Sequence, residues 1–300
     1  MKLDVVGFGA LNVDKLYRVE RIAKAGEESF ITSYDETPGG SAANTVVGLA
    51  KLGIKVGYVG KVANDREGRL QLQSFREESV DINGVVVSKE GRSGVVMGFV
   101  DKKGERALYV DPGVNDTLGF EEIDRAYAGD TEFLHLTSFV GGKPFEAQSK
   151  LLKTLKEVKV SFDPGELYMR RGLTALRPII RKSFVVFPSE NELKILTGED
   201  YRAGSKILVK EGARLVAVKL GEKGCYVTDG GEEHLIEAYR VKAVDTTGAG
   251  DAYCAGFLYG LVKGEDLYTC GRLGNFVASR KIGKIGAREG LPRLSALGDM

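Results

Sequence analysis

Residues 241–257, VKAVDTTGAGDAYCAGF, place a carboxylate where a polar run of small residues opens into an apolar helix. The threonines and glycines of residues 245–250 let the backbone turn tightly and approach a ligand closely. From Ala252, the spacing of Ala252, Cys254, Ala255, Phe257 and Leu258 suits a helix packed on a sheet. The amides of Gly248, Ala249 and Gly250 are then helix-start donors without helical acceptors, and the helix dipole draws an anion to that end. Asp251 in such a place either caps the helix or works as a base beside a phosphate cradle. Phosphoryl transfer asks for this pairing: fixed donors for the charge of the moving group and a base for the attacking hydroxyl.

A second constellation supplies the acceptor side. Residues 38–53, PGGSAANTVVGLAKLG, read as a Pro-Gly-Gly turn, a small-residue helix and a glycine stop. Gly39 and Gly40 let a ligand come close to the backbone, and Asn44 on the helix offers an amide to hydroxyls. Asn12 and Asp14, just after the first strand, are an acceptor and donor set for vicinal hydroxyls; the plainer reading is a turn. Other chemistries lack their residues. Gly7-x-Gly9 has Asn12 where a dinucleotide fingerprint needs its third glycine, and an extended segment follows instead of a helix. There is neither a GxxxxGK[S/T] loop nor a GxSxG elbow, and His135 and His234 read as ordinary strand residues.

The elements that must position these residues alternate strand and helix. Strands are expected at residues 3–9, 54–60, 133–136, 159–162, 184–187 and 215–219, with a strand pair at 225–228 and 233–236. Helices are expected near 66–78, 146–157, 173–180, 190–196 and 203–211. That rhythm is an α/β fold with a doubly wound, mainly parallel sheet and helices on both faces, and ligands bind such sheets beyond the carboxyl ends of the strands. Two extended stretches, about 15–37 and 85–110, stand outside the rhythm and are expected to form a separate small sheet. One domain is expected to span residues 1–300.

Composition narrows the partners. A net charge of +1 leaves no basic footprint for nucleic acid, and no stretch approaches the roughly 18 apolar residues of a membrane span. The N-terminal LDVVGFG reads as a strand and not a signal peptide. Three separated cysteines read as buried small hydrophobes in a reducing, cytoplasmic setting. Three glutamines, no tryptophan and abundant Lys, Arg and Glu resemble a thermophile's bias.

The two motifs, in this order and about two hundred residues apart, resemble the ribokinase-like (PfkB) carbohydrate kinase family, and SENELKILTG at 189–198 and VKLGEKGCYV at 218–227 fall where that family has corresponding elements. The resemblance implies a ribokinase-like α/β domain with a small β-sheet lid that closes over a sugar or nucleoside and forms a homodimer interface. It implies Asp251 as base, residues 248–250 as anion hole, and Asn12, Asp14, Gly39, Gly40 and Asn44 at the sugar. Gly221 and Gly224 fall on the nucleotide side, with Asn275 walling the adenine pocket. Asp163 joins the acceptor site, and Arg106 or Arg170 and Arg171 are candidates for gripping a substrate phosphate. Phe30, Tyr34, Phe99, Tyr109 and Phe139 are candidates for stacking on a base. Two departures stand out: Ser189 replaces the family's asparagine beside Glu192, the residue tied indirectly to Mg2+, and Lys219 stands where many members carry a small hydroxyl residue. Asp245 and Thr247 match positions that hold a monovalent cation such as K+ in some members. The activity implied is transfer from ATP or ADP, with Mg2+, to a nucleoside 5'-hydroxyl. Alternatives are a ribose-1-phosphate kinase, a ribose, hexose or ketodeoxygluconate kinase, and a nucleotide-binding regulatory protein.

Overall fold

The computed structural model describes residues 2–300. Strand β1 (Leu3–Phe8) lies inside a nine-stranded sheet, and the chain builds outward from it in both directions. On one side stand β4 (Val56–Ala63) and β5 (Val85–Ser88). On the other, after the small-sheet strands β2 (Asn12–Val19), β3 (Ile31–Pro38), β6 (Gly94–Val100) and β7 (Arg106–Asp111), come β8 (Thr131–Thr137), β9 (Lys159–Asp163), β10 (Ser183–Val186) and β11 (Leu215–Lys219). All of these pairings within the large sheet are parallel; β12 (Cys225–Thr228) and β13 (Glu233–Ile236) close that edge antiparallel. Strand β4, VGYVGKVA, is buried at every position, as a strand covered on both faces must be.

One core lies between the sheet and helices Ser41–Lys51, Ala249–Lys263 and Leu267–Lys281; the other lies under the helices of the opposite face, through Ala147, Leu151, Leu176, Leu193 and Leu208. The order of strands reverses between β1 and β8, so their carboxyl ends open a crevice of the kind that binds ligands. Helices Ser41–Lys51 and Ala249–Lys263 meet above it. They approach so closely that a Cβ on Gly48 would stand 2.8 Å from Ala255 Cβ. That contact, between two of the smallest side chains, brings the first turns of both helices together.

The small sheet runs β3-β2-β6-β7. Residues 85–88, expected there, are instead paired with β4 from Gly60↔Val85 to Ala63↔Ser88 in the large sheet. The VVVS run satisfies either sheet; the intervening helix Arg66–Glu77 makes β4 and β5 a parallel crossover unit, which delivers the second strand beside the first. The small sheet therefore draws on 12–19, 31–38, 94–100 and 106–111. Helix starts moved as well: Gly142–Thr154 and Tyr201–Lys210 begin before their first strongly periodic residue, the latter because the Asp200 side chain accepts from Arg202 and Ala203 amides.

The helix contact is open to direct test. Gly48→Val should lower stability by about 2 kcal/mol through overpacking, read in urea unfolding, and should reduce turnover because the helices separate.

Candidate active site

Asp251 lies in the first turn of helix Ala249–Lys263, facing the first turn of Ser41–Lys51. Its Oδ1 accepts from Ser41 Oγ at 2.7 Å and its Oδ2 from Asn44 Nδ2 at 2.8 Å, while Thr45 Oγ1 donates to its carbonyl at 3.3 Å. Burial raises its pKa to about 6, against the lowering bonds from Ser41 and Asn44. Asp14, brought in by β2, is likewise raised to about 6 by burial, with Arg288 opposing and the charge of Asp251 adding. The Asp14 carboxylate lies against the bare Cα of Gly39, where any Cβ would collide with it. Gly40 has φ +99° and no room for a Cβ beside the Ala10 carbonyl.

The cradle's donors differ from expectation. Gly248 takes the left-handed conformation at φ +75°, and the Ala249 amide donates to Thr246 O at 3.1 Å. Because the helical ladder begins with Ala252 N to Gly248 O, the amides of Gly250 and Asp251 are the first-turn donors left for an anion. The tight turn from Thr246 to Ala249 takes the Ala249 amide out of the set.

Four expected ligand contacts are spent inside the protein. Asn44 donates to Asp251 and accepts from Arg288 Nε at 2.9 Å, so its amide orients the carboxylate. Asp163, at the end of β9, pairs through Oδ2 with Lys219 Nζ at 2.7 Å and accepts from Cys254 Sγ at 3.4 Å. Asn275 uses its Nδ2 on the carbonyls of Ile236 and Glu237 at 3.1 and 3.0 Å, and so lines the cavity beside Gly221 and Gly224 without a donor to spare. Ser189 forms a reciprocal capping box with Glu192: Ser189 N donates to Glu192 Oε2 at 2.7 Å, and Ser189 Oγ accepts from Glu192 N at 3.2 Å. The S-x-x-E spacing was itself a legible capping signal. Arg106 is level with Val100 in the register β6–β7, whereas Asn12 is level with Gly94. Six residues of strand, about 20 Å, separate the two levels, and Arg106 is exposed.

A cavity of about 820 Å³ runs from Gly250 and Thr246 past Lys219, Gly221 and Gly224 to Tyr239 and Asn275. Burial alone would lower the Lys219 pKa, but Asp163 beside it holds it above the ordinary lysine value. A Cβ on Gly250 would stand 3.4 Å from Lys219 Nζ, which puts that ammonium at the junction of cavity and cradle. Among the described residues no group of three His, Cys, Asp or Glu is placed to hold a metal. Glu192 lies within the field of the Lys219 charge and has one carboxylate oxygen taken by the Ser189 amide, so it would meet a divalent ion as a single carboxylate, through water. The loop matched to a monovalent cation does not fit one: Asp245 Oδ1 and Oδ2 accept from the amides of Thr247 and Gly286 at 2.9 and 2.8 Å, and Lys281 Nζ donates to the Asp245 carbonyl at 2.8 Å.

Arg288 escaped the sequence reading. Its guanidinium donates to Asn44 Oδ1, to Ser74 Oγ at 2.9 Å and to the Gly39 carbonyl at 3.2 Å, and lies over the Phe75 ring at 5.7 Å. Burial lowers its pKa to about 10, opposed by Tyr58, Asp14 and Asp251, so it stays charged at neutral pH. Ser41 was missed too, and so was Asn115, whose Nδ2 donates to Asn12 Oδ1 at 3.1 Å. No local motif marks Arg288; only its place in GAREG, shortly after the last helix, could have drawn notice.

Chemistry of this kind moves a phosphoryl group onto an alcohol, and the protein is a phosphotransferase with an alcohol acceptor. It belongs to the pfkB family of carbohydrate kinases, whose profile matches residues 2–294. An uncharacterized sugar kinase of Archaeoglobus fulgidus is 47% identical over 82% of this chain and 99% of its own. An ATP-dependent ribose-1-phosphate kinase of Halopiger xanaduensis is 33% identical, covering 95% of this chain and 94% of its own. A cytidine kinase of Thermococcus kodakarensis is 36% identical over 79% and 84%. Among solved structures, the ribokinase of Thermotoga maritima superposes with a TM-score of 0.87 at 25% identity, covering 99% of this chain and 98% of its own. The nucleoside kinase of Methanocaldococcus jannaschii gives 0.86 at 25%, with the same coverage. The ribokinase fold with its separate small sheet is therefore the fold of this chain.

The Arg288–Asn44–Asp251 chain predicts a split in kinetics. Arg288→Met should lower kcat by about 10-fold or more, as misplacement of a base does, while the KM for nucleotide stays near wild type and Arg288→Lys recovers part of the loss.

Proposed function

We propose that this kinase phosphorylates the 5'-hydroxyl of a nucleoside, with Mg2+ and ATP or ADP as donor. The observation that carries the reading is the lid face beside Asp14. In the paired register, Asp14 shares its face with Leu16, Val96, Leu108 and Val110, because matched residues of neighbouring strands point the same way and alternate along each strand. Leu108 is 54% and Val110 50% exposed. An apolar surface next to a hydroxyl-binding carboxylate suits a base attached to a ribose more than a bare polyol. The nearest cation, Arg288, has its N–H groups on neutral protein acceptors and lies among carboxylates, which disfavours an anionic acceptor. Tyr34, Phe99 and Tyr109, considered earlier for stacking, lie on the other face with Tyr17, and Phe139 is in the core against Phe8.

In the reaction, Asn12 and Asp14 hold the ribose hydroxyls and Asp251 takes the proton of the attacking hydroxyl. The amides of Gly250 and Asp251, with Lys219 at their side, hold the phosphoryl group in passage. Mg2+, when bound with the nucleotide, would neutralise phosphate charge, and Glu192 is the residue that would hold it through water. Ribose-1-phosphate is the second reading, favoured by the relative that matches nearly the whole chain at 33% identity.

Nucleosides, ribose-1-phosphate, ribose, hexoses and ketodeoxygluconate offered with ATP, ADP and GTP decide the acceptor. Nucleosides should give the highest kcat/KM; ribose-1-phosphate turning over while nucleosides do not would reverse the assignment. Asp251→Asn should cost at least about 100-fold in kcat. Because the base must be ionised and its pKa is raised from 3.8 to about 6, kcat/KM should fall as pH drops below about 6, and the limb belongs jointly to Asp251 and Asp14.

The same reading includes a homodimer through the lid, whose outer face is an aromatic ladder. Tyr17 stacks on Tyr34 at 5.0 Å and on Phe99 at 5.1 Å, and Phe99 meets Tyr109 edge-on at 5.9 Å. Light scattering should give a dimer for the wild type and a monomer for Tyr109→Asp.

A further inference from the structure

The loop that leads into the phosphate cradle is fastened at one residue. Asp245 receives the amides of Thr247 and Gly286 on its two carboxylate oxygens, and its carbonyl receives Lys281 Nζ. The amides of Val244 and Asp245 are bonded in turn to Ile282 O at 2.8 and 3.2 Å. Lys281 is the last residue of helix Leu267–Lys281, and its side chain is 0% exposed. An ammonium removed from water costs several kcal/mol unless anions or dipoles compensate, so a chain that buries one here gains something from its charge. Burial lowers the Lys281 pKa, opposed by the charges of Asp245 and Asp251. One anchors the turn before Gly248, and the other opens the helix that carries the cradle.

We propose that the Lys281 ammonium is the cation of this loop: tethered to the end of a helix, it holds the Asp245 carbonyl where a dissolved K+ would, and the protein needs no monovalent ion. A bound ion and a buried ammonium compete for one carbonyl and one patch of negative potential, and the covalent tether gives the ammonium the higher effective concentration. Replacing it with a short neutral side chain leaves a polar gap with unpaired carbonyl oxygen, which an added cation can fill.

The inference rests on the kinase reading for its consequence but not for its measurement. The whole chain, dialysed into tetramethylammonium chloride, is melted with and without K+, and MgATP binding is measured calorimetrically in both salts. The wild type should show the same melting temperature and an MgATP affinity equal within about twofold. Lys281→Ala should bind MgATP about tenfold or more weakly in tetramethylammonium, and K+ or NH4+ should restore both affinity and melting temperature, as an ion bound only to the folded state does. Lys281→Arg, which keeps the charge, should remain indifferent to K+, and it decides the question if the alanine variant does not fold. A wild type stabilised by K+ over tetramethylammonium overturns the proposal, as does a Lys281→Ala protein that K+ does not affect. The melting arm needs no nucleotide, so failure of the kinase reading, seen as no MgATP binding in either salt, is distinguishable from failure of the Lys281 assignment.

Discussion

The site depends on one close contact between two helices. Gly48 and Ala255 let helices Ser41–Lys51 and Ala249–Lys263 cross with almost no side chain between them. At that separation Ser41 and Asn44 reach both oxygens of Asp251. A larger residue at either position pushes the donors out of reach and leaves a buried carboxylate without its bonds. The helices are held there by the parallel sheet beneath, and their first turns lie over the crevice where strand order reverses between β1 and β8.

The two buried cations around this crossing are each matched to acceptors. Arg288 stands among Asp14, Asp251 and Tyr58 and is spread over Asn44, Ser74 and the Gly39 carbonyl. Lys219 pairs with Asp163, and the pair faces the cradle from the nucleotide side. Neither Asp14 nor Asp251 is paired directly with a cation, and burial lifts both to about 6. A carboxyl of that pKa is ionised at neutral pH and still basic enough to take a proton, as the proposed role of Asp251 asks.

The small sheet divides its work by face. Parallel and antiparallel register keep Asp14, Leu16, Val96, Leu108 and Val110 on one side and Tyr17, Tyr34, Phe99 and Tyr109 on the other. A polar and aliphatic surface is thus available to an acceptor and an aromatic one to a partner. A slip of one residue in any strand would exchange them.

The Asp251 carboxylate at a helix start, the glycine turns, the strand–helix rhythm and the two-motif resemblance were legible in the chain because each is local: a few neighbouring residue types impose a backbone conformation or a period. Asp251 with Gly248 and Gly250, Asp14 beside Gly39, and Lys219 with Gly221 and Gly224 are residues of this kind, and the structure gathers them at one crevice and its adjoining cavity. Partners were not legible. Whether Asn44 binds a ligand or orients Asp251, whether Asp163 meets a hydroxyl or Lys219, and whether residues 85–88 extend the lid or the main sheet depend on what another part of the chain brings to the same place. Arg288 and Lys281 show the limit most clearly. An arginine or lysine near the end of a chain reads as a solvated charge until folding buries it against groups more than thirty residues away, and the cost of that burial is what gives the charge its role.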